Sequence, residues 1–399
     1  MTIQKKKINI FFEYIIIFLI ILESTSVYSN SDILPIGILS LLTIFVSIYA
    51  IFNIEKLKRI KKRKILIYII YIVYILIFSI FSVEKKNYGN FFIKFVYLIS
   101  IFYFYIDSID DIRRMIKIYC NCIFALCFIS LVFYSFGYIL KILPINYNVI
   151  LNWGYTRRIG SLFNLHFFVQ TEKFLNTTLV RNTGIFCEAP MYMLNLTLCL
   201  TLSMFFCEKN KLRDFILIVG IISTFSSTGY IILIILFTLY FVSSKKITIK
   251  FLILPVILVI SIFIIFNIIE SKSDSRSYSV RYDDYVASIQ GWKENIIFGS
   301  GYRNNDLFLK NISSFRSSNT GQSSSVGAIL LQGGIYLFLL YFVSFLSIYK
   351  FNKKSKTFSI IYIILFILTV FQYTGLELLI LSISINLISL KNGVQNEKI

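Results

Sequence analysis

The chain has 399 residues, of which 57% are hydrophobic and only 15% charged, and its 40 Lys and Arg against 20 Asp and Glu leave a net charge of +20. A soluble domain of this length would carry more charge and fewer apolar residues, so that class is excluded. Nucleic acid is excluded as the reason for the positive charge, because the basic residues fall in short clusters between apolar runs.

Those runs dictate the architecture. Stretches such as 33–54 and 251–268 are apolar on every face and long enough to cross about 30 Å of hydrocarbon as helices. A transmembrane barrel would instead show period-two alternation. The expected class is therefore all-α, a polytopic membrane protein. Helices are predicted over about 8–22, 33–54, 65–83, 91–106, 118–140, 185–207, 213–227, 229–242, 251–269, 326–349, 357–374 and 377–390. The first of these is short enough for a signal peptide, but Glu13 interrupts it and no small-residue cleavage site follows, which favours a retained helix. Cys120, Cys122, Cys127, Cys187, Cys199 and Cys207 fall in or beside apolar runs and read as small buried hydrophobes. Residues 213–242 are taken as a tight hairpin with Ser226-Ser227-Thr228-Gly229 at its tip, since a single helix there would put every later lysine cluster on the wrong side.

With twelve spans both termini face the cytoplasm, and the short loops on that side hold 25 of the 40 basic residues. One integral membrane domain covers 1–399, and its two substantial outer loops are about 141–184 and 270–325. Lysine follows the topology: 20 of 28 lie in the cytoplasmic clusters. Arginine does not: Arg157, Arg158, Arg181, Arg276, Arg281, Arg303 and Arg316, seven of twelve, lie in the outer loops. A planar guanidinium binds phosphate or carboxylate through two parallel hydrogen bonds, so this bias marks the outer face for anion recognition, against ordinary solvated charge as the plainer reading.

Single residues along the outer face add detail. His166, the only histidine, sits in the first outer loop and reads as incidental, with no cluster to make a metal site. Arg181–Pro190 opens the sixth span, and Glu188 lies within about a turn of its outer boundary. An acid in such apolar surroundings is either a functional group or a structural partner of Arg181. Glu377, at the outer end of the last hairpin, is a weaker case of the same kind. In the second loop Tyr282, Tyr285, Val286, Ile289 and Trp292 recur at helical spacing. They predict an amphipathic helix ending near Asn295, with Asp283 and Asp284 in its first turn and Arg276 and Arg281 before its positive end. Gly299 and Gly301 then permit a tight turn close to a ligand.

Four of these segments together carry a resemblance. Arg181-x-x-Gly184-x-Phe186-x-Glu188-Ala189-Pro190 is similar to an entry motif, and Ser226–Gly229 to a serine-rich hairpin tip. Arg276…Arg281…Trp292…Asn295…Phe298-Gly299-Ser300-Gly301 is similar to an R…W…N…FGxG loop, and Ser318-Asn319 through Gly333-Gly334 to a re-entering HN…G segment. In this order, over about 180–345, they resemble the O-antigen ligase/polymerase superfamily. The resemblance implies metal-independent glycosyl transfer, with no cofactor, on the outer face of a bacterial cytoplasmic membrane. The substrates implied are undecaprenyl-diphosphate-linked oligosaccharides, the surroundings are membrane lipids, and a chain-length regulator and a flippase are candidate partners. Arg181, Arg276 and Arg281 would hold the diphosphate, Trp292, Gly299, Gly301, Arg303 and Asn319 would shape the substrate site, and Glu188, or else Asp283 or Asp284, would serve as base. No arginine follows the hairpin serines, and Ser318 stands where ligases carry histidine; both departures favour a polymerase over a ligase. A lipid-linked oligosaccharide transporter is the alternative from another class. It would be expected to show related halves and polar groups at mid-bilayer, neither of which is evident in the sequence.

Overall fold

The apolar runs fold as helices in the computed structural model, which describes residues 3–34, 37–85, 87–106, 108–174, 177–244, 276–316 and 321–390. In chain order they are α1 (Ile3–Glu23), α2 (Ile38–Phe52), α3 (Lys62–Phe81), α4 (Tyr88–Tyr105), α5 (Ile109–Ile139), α6 (Ala189–Phe206) and α7 (Lys211–Ser223). There follow α8 (Ser227–Ser244), α9 (Arg276–Glu294), α10 (Asp306–Asn311), α11 (Ser325–Tyr349), α12 (Lys353–Leu368) and α13 (Gly375–Leu390). Five of these, α3, α4, α5, α6 and α11, are long and apolar enough to cross a membrane; α2, α8 and α13 are shorter apolar helices. This mostly helical chain fits a helical membrane protein. The helix expected at 251–269 lies outside the described residues.

Helix α6 is the centre of the bundle. Its most apolar window is 83% buried, against 28% in α3 and in α5, so it is wrapped by protein where they present side chains outward. It packs against α5, α7, α8 and α12. Pro190 stands in its first turn, where the N–H that proline lacks would have no partner within the helix. The hairpin expected at 213–242 is present: α7 stops at Ser223, Phe225 takes a left-handed φ of 48°, and α8 starts at Ser227.

Within the helices described, Phe92–Leu98 of α4 and Ser135–Ile139 at the end of α5 adopt π-type hydrogen bonding. Helix α11 is broken at Gly334, whose φ of 61° and ψ of −166° suit only glycine. The break is filled by the Ile296–Gly301 turn. Ile335 N–H and Tyr336 N–H donate to the carbonyls of Ile296 and Ile297 at 3.0 and 2.9 Å, while Ser300 and Gly301 N–H donate to Leu331 and Gln332 at 2.8 and 2.9 Å. Every backbone group freed there by the kink and named here thus finds a partner.

The first outer loop is not the unstructured connection expected of an all-α chain. It forms β1 (Asn146–Trp153), β2 (Tyr155–Leu162) and β3 (His166–Phe168), paired antiparallel in that order, then a second hairpin of β4 (Thr171–Phe174) and β5 (Thr177–Val180). Val149 and Leu151 point inward while Asn148, Ile150 and Asn152 are exposed, the alternation of a half-buried strand. Gly154, at a φ of 70°, turns β1 into β2 with Trp153 opposite Tyr155. Bridges from Ser31 to Leu151 and from Ser26 to Phe186 tie this region to the segment after α1.

Candidate functional site

A cavity of about 1410 Å³ lies where these connecting segments meet. Its wall takes residues from the end of α1, the π-type stretch of α4, the β1–β2 turn, the entry to α6, the α7–α8 turn, α9, the turn at Arg303 and the α12–α13 turn. The loops that the charge pattern assigned to one face therefore converge on one space.

Five of the sequence-predicted residues line it: Arg181, Glu188, Arg281, Asp284 and Arg303. Arg181 follows β5 and is held by two acceptors. Its Nε donates to the Thr224 carbonyl at 2.8 Å, and Nη1 pairs with Glu172 at 3.6 Å. Burial lowers its affinity for the proton, and Glu172 and then Glu188 work in the opposite direction. Glu188 is the N-cap of α6, partly buried in the wall, and accepts a hydrogen bond from the Trp153 indole N–H. Burial raises its carboxyl above the usual range. The Trp153 hydrogen bond and the charges of Arg157, Arg181 and Arg281 oppose that rise. The structural alternative, a direct Glu188–Arg181 pair, is not what forms: Arg181 takes Glu172 instead. Arg281 reaches the wall from α9, with Nη1 on the Leu368 carbonyl at 3.0 Å. Arg303, in left-handed backbone with a φ of 56°, lies over the Tyr302 ring at 5.7 Å and is exposed to the cavity.

The other predicted residues are placed differently. Trp292 does not line the cavity; its indole N–H caps the end of α9 at the Ile296 carbonyl, 2.9 Å away. Gly299 and Gly301 do bring backbone close, but to protein. A Cβ at Gly299 would stand 2.5 Å from the Gln332 carbonyl carbon, and one at Gly301 would stand 2.6 Å from the Glu84 carbonyl oxygen. Arg276 and Arg281 do not precede the helix: α9 begins at Arg276, and Arg281 sits in its second turn. The Arg276 side chain and the whole of Ser318 and Asn319 lie outside the described residues.

Asp283 and Asp284 are likewise not in the first turn. They lie deeper in α9 and enclose Arg316, whose side chain is fully buried between their carboxylates. Asp283 also accepts from the Ser313 N–H at 3.2 Å, and Arg316 donates to the Gly321 carbonyl at 3.0 Å. Burial works against the Asp283 carboxylate, but Ser313 and Arg316 outweigh it and hold this carboxyl below the usual range. At Asp284 burial wins and the carboxyl is raised. This cluster fastens the segment after α10 onto α9. It removes Arg316 from the pool of arginines open to an anion.

Sequence reasoning counted Arg157 only among the seven arginines of the outer loops and gave no site role to the pair Glu23–Lys94 or to Trp153 and Tyr155, yet all of these line the cavity. Lys94, in the π-type stretch, pairs with Glu23 and donates to the Tyr373 carbonyl at 2.7 Å. An ionisable residue inside an apolar run was the available signal. His166 is fully buried, 3.3 Å from the Ser130 hydroxyl through Nδ1, and burial pushes its pKa down to about 3. Glu377 is buried and accepts from the Tyr362 hydroxyl, away from the cavity. Among the described residues no group of three or more His, Cys, Asp or Glu is placed to hold a metal ion.

Comparison of the chain with protein-family models, with curated proteins and with solved structures finds no match.

Proposed function

We propose that this chain is a polymerase that joins undecaprenyl-diphosphate-linked oligosaccharide repeat units into a surface polysaccharide, capsule or O-antigen, on the outer face of a bacterial cytoplasmic membrane. The proposal includes the twelve-span topology with both termini cytoplasmic. The observation that carries it is the convergence of Arg181, Glu188, Ser226–Thr228, Arg281 and Arg303, drawn from three separate motifs, on one cavity.

The chemistry follows from those groups. An acceptor sugar hydroxyl attacks the anomeric carbon of the donor, the bond from that carbon to the diphosphate oxygen breaks, and undecaprenyl diphosphate leaves with the bonding pair. Charge grows on the leaving diphosphate, so fixed guanidinium groups aimed at it stabilise the transition state more than the ground state. Arg181 and Arg281 are fixed in this sense: each is anchored by one donor on a main-chain carbonyl, and Arg181 is held further by its pair with Glu172. Glu188 takes the acceptor proton. Burial raises its affinity for the proton, which is the direction a general base needs.

The test is genetic and simple to read. Deleting the gene is expected to leave surface glycan with single repeat units, and a normal chain-length ladder would overturn the proposal. Arg281→Ala, supplied on a plasmid, is expected to reproduce the deletion with a loss of about 10²–10³-fold in polymer formed, the typical cost of one preorganised donor. Single repeats on the surface would also exclude a transporter, because its loss would leave none there.

A further inference from the structure

We infer that the β1–β2 turn is a carbohydrate subsite that takes an acidic sugar, with Trp153 and Tyr155 as its stacking faces and Arg157 as the donor to the sugar's carboxylate. The turn projects these three residues into the cavity wall. Tyr155 is 57% exposed and lines the cavity. Apolar C–H faces of a pyranose ring stack on such surfaces, as other flat apolar rings do. Tyr155 and Arg157 are two residues apart in one strand and so share a face, and the guanidinium carbon lies 4.7 Å from the Tyr155 ring centroid.

Arg157 separates this subsite from a plain hydrophobic patch. Its Nε is buried and has no hydrogen-bond partner. Leaving a buried donor unmade costs about 1–3 kcal/mol, and more for a charged group, so the position calls for an acceptor that arrives with a ligand. The contrast with the neighbouring arginines is sharp: Arg181 and Arg281 each spend a donor on a main-chain carbonyl, and Arg316 is enclosed by two carboxylates. A planar fork with a free edge, stacked on an aromatic ring, matches a carboxylate on a sugar ring. Trp153 fixes the turn by donating to Glu188, so a sugar stacked here lies beside the acid that takes the acceptor proton.

The inference rests on reading the cavity as a glycan site, and it is tested without turnover. The chain has two tryptophans, and Trp292 lies away from the cavity, so full-length Trp292→Phe protein in detergent micelles leaves Trp153 as the single tryptophan, excited selectively at the red edge where tyrosine does not absorb. The probes are methyl glucuronide, methyl glucoside and inorganic pyrophosphate, titrated separately. The expected result is a saturable change in Trp153 emission with the glucuronide at least tenfold tighter than with the glucoside, lost on adding Arg157→Gln and weakened on adding Tyr155→Ala. Equal response to both sugars overturns the role given to Arg157. A response to pyrophosphate alone overturns the sugar subsite and gives Arg157 to the diphosphate clamp. No response to any probe overturns the inference. Glucuronide binding by a protein whose deletion leaves the glycan ladder intact would refute the polymerase reading and keep this one.

Discussion

Arg316 offers the most direct handle on how the site is held. Its guanidinium is fully buried and touches the carboxylates of Asp283 and Asp284, whose side chains are 7% and 2% exposed. Arg316→Met removes the cation at similar length and leaves two acids facing each other. Asp283 keeps its Ser313 bonds, but Asp284 loses the charge that opposes its burial and takes up a proton. Breaking a buried pair in this way costs about 3–5 kcal/mol. At 1.4 kcal/mol per decade, that raises the population of locally opened α9 by between about 10²-fold and about 4 × 10³-fold. The assay is amide hydrogen exchange on peptides covering 276–316 of the detergent-solubilised protein, where protection should fall by that factor while α6 peptides stay unchanged. Because α9 carries Arg281 into the cavity, polymer formation should fall with it. The control is the triple variant with Asp283→Asn and Asp284→Asn, in which no buried acid remains and protection should partly return. If the triple variant exchanges as fast as Arg316→Met alone, or if Arg316→Met leaves exchange unaltered, the clamp reasoning fails.

Three further outcomes follow from the same geometry. Glu188→Gln should lower activity by about 10²–10⁴-fold, the usual contribution of a general base, and should also raise thermal stability at neutral pH. The second effect follows because burial raises the folded-state proton affinity of Glu188, so its ionised form costs stability above that range; a destabilised variant would contradict it. His166 is lowered from 6.5 to about 3, so folding is favoured above pH 6.5 and weakened below it as the unfolded chain takes up a proton. Between pH 7 and pH 5 the loss works out at about 2 kcal/mol. Unfolding of detergent-solubilised wild type should show this loss, His166→Gln should not, and identical pH sensitivity in both would rule it out. Gly334→Ala should destabilise the α11 break by more than about 1 kcal/mol, since φ is 61° and the new Cβ would stand 2.2 Å from the Ile297 carbonyl oxygen. A thermal midpoint equal to wild type would show that the break relaxes freely.

The spans were legible because lipid leaves helices as the simplest way to satisfy a long apolar stretch of backbone, and α3, α6 and α11 lie within a few residues of the expected limits. Charge also placed the α7–α8 turn correctly, although each half is short. The sheet was missed although Val149 and Leu151 alternate with Asn148, Ile150 and Asn152 before Gly154. Residues 146–162 carry few long apolar stretches, and an expectation built on membrane spans passes over a period-two signal. Within the site, residue type said which side chains could bind an anion but not which were free to. Arg281 and Arg316 look alike in sequence, and only the fold shows the second enclosed by Asp283 and Asp284. Gly299 and Gly301 were likewise readable as positions of close approach. What approaches is the chain itself, the 296–301 turn entering the α11 break, and spacing alone does not distinguish a protein neighbour from a ligand.

The central claim is that the cavity joins two lipid-linked glycans by breaking the bond from the donor's anomeric carbon to its diphosphate. Purified protein in proteoliposomes, supplied with undecaprenyl-diphosphate-linked repeat units, tests it without other cellular components. The account predicts a ladder of lipid-linked oligomers with one undecaprenyl diphosphate released per linkage, abolished by Arg281→Ala and by Glu188→Gln. Repeat units that cross the bilayer unchanged, or a ladder that persists in both variants, would contradict it.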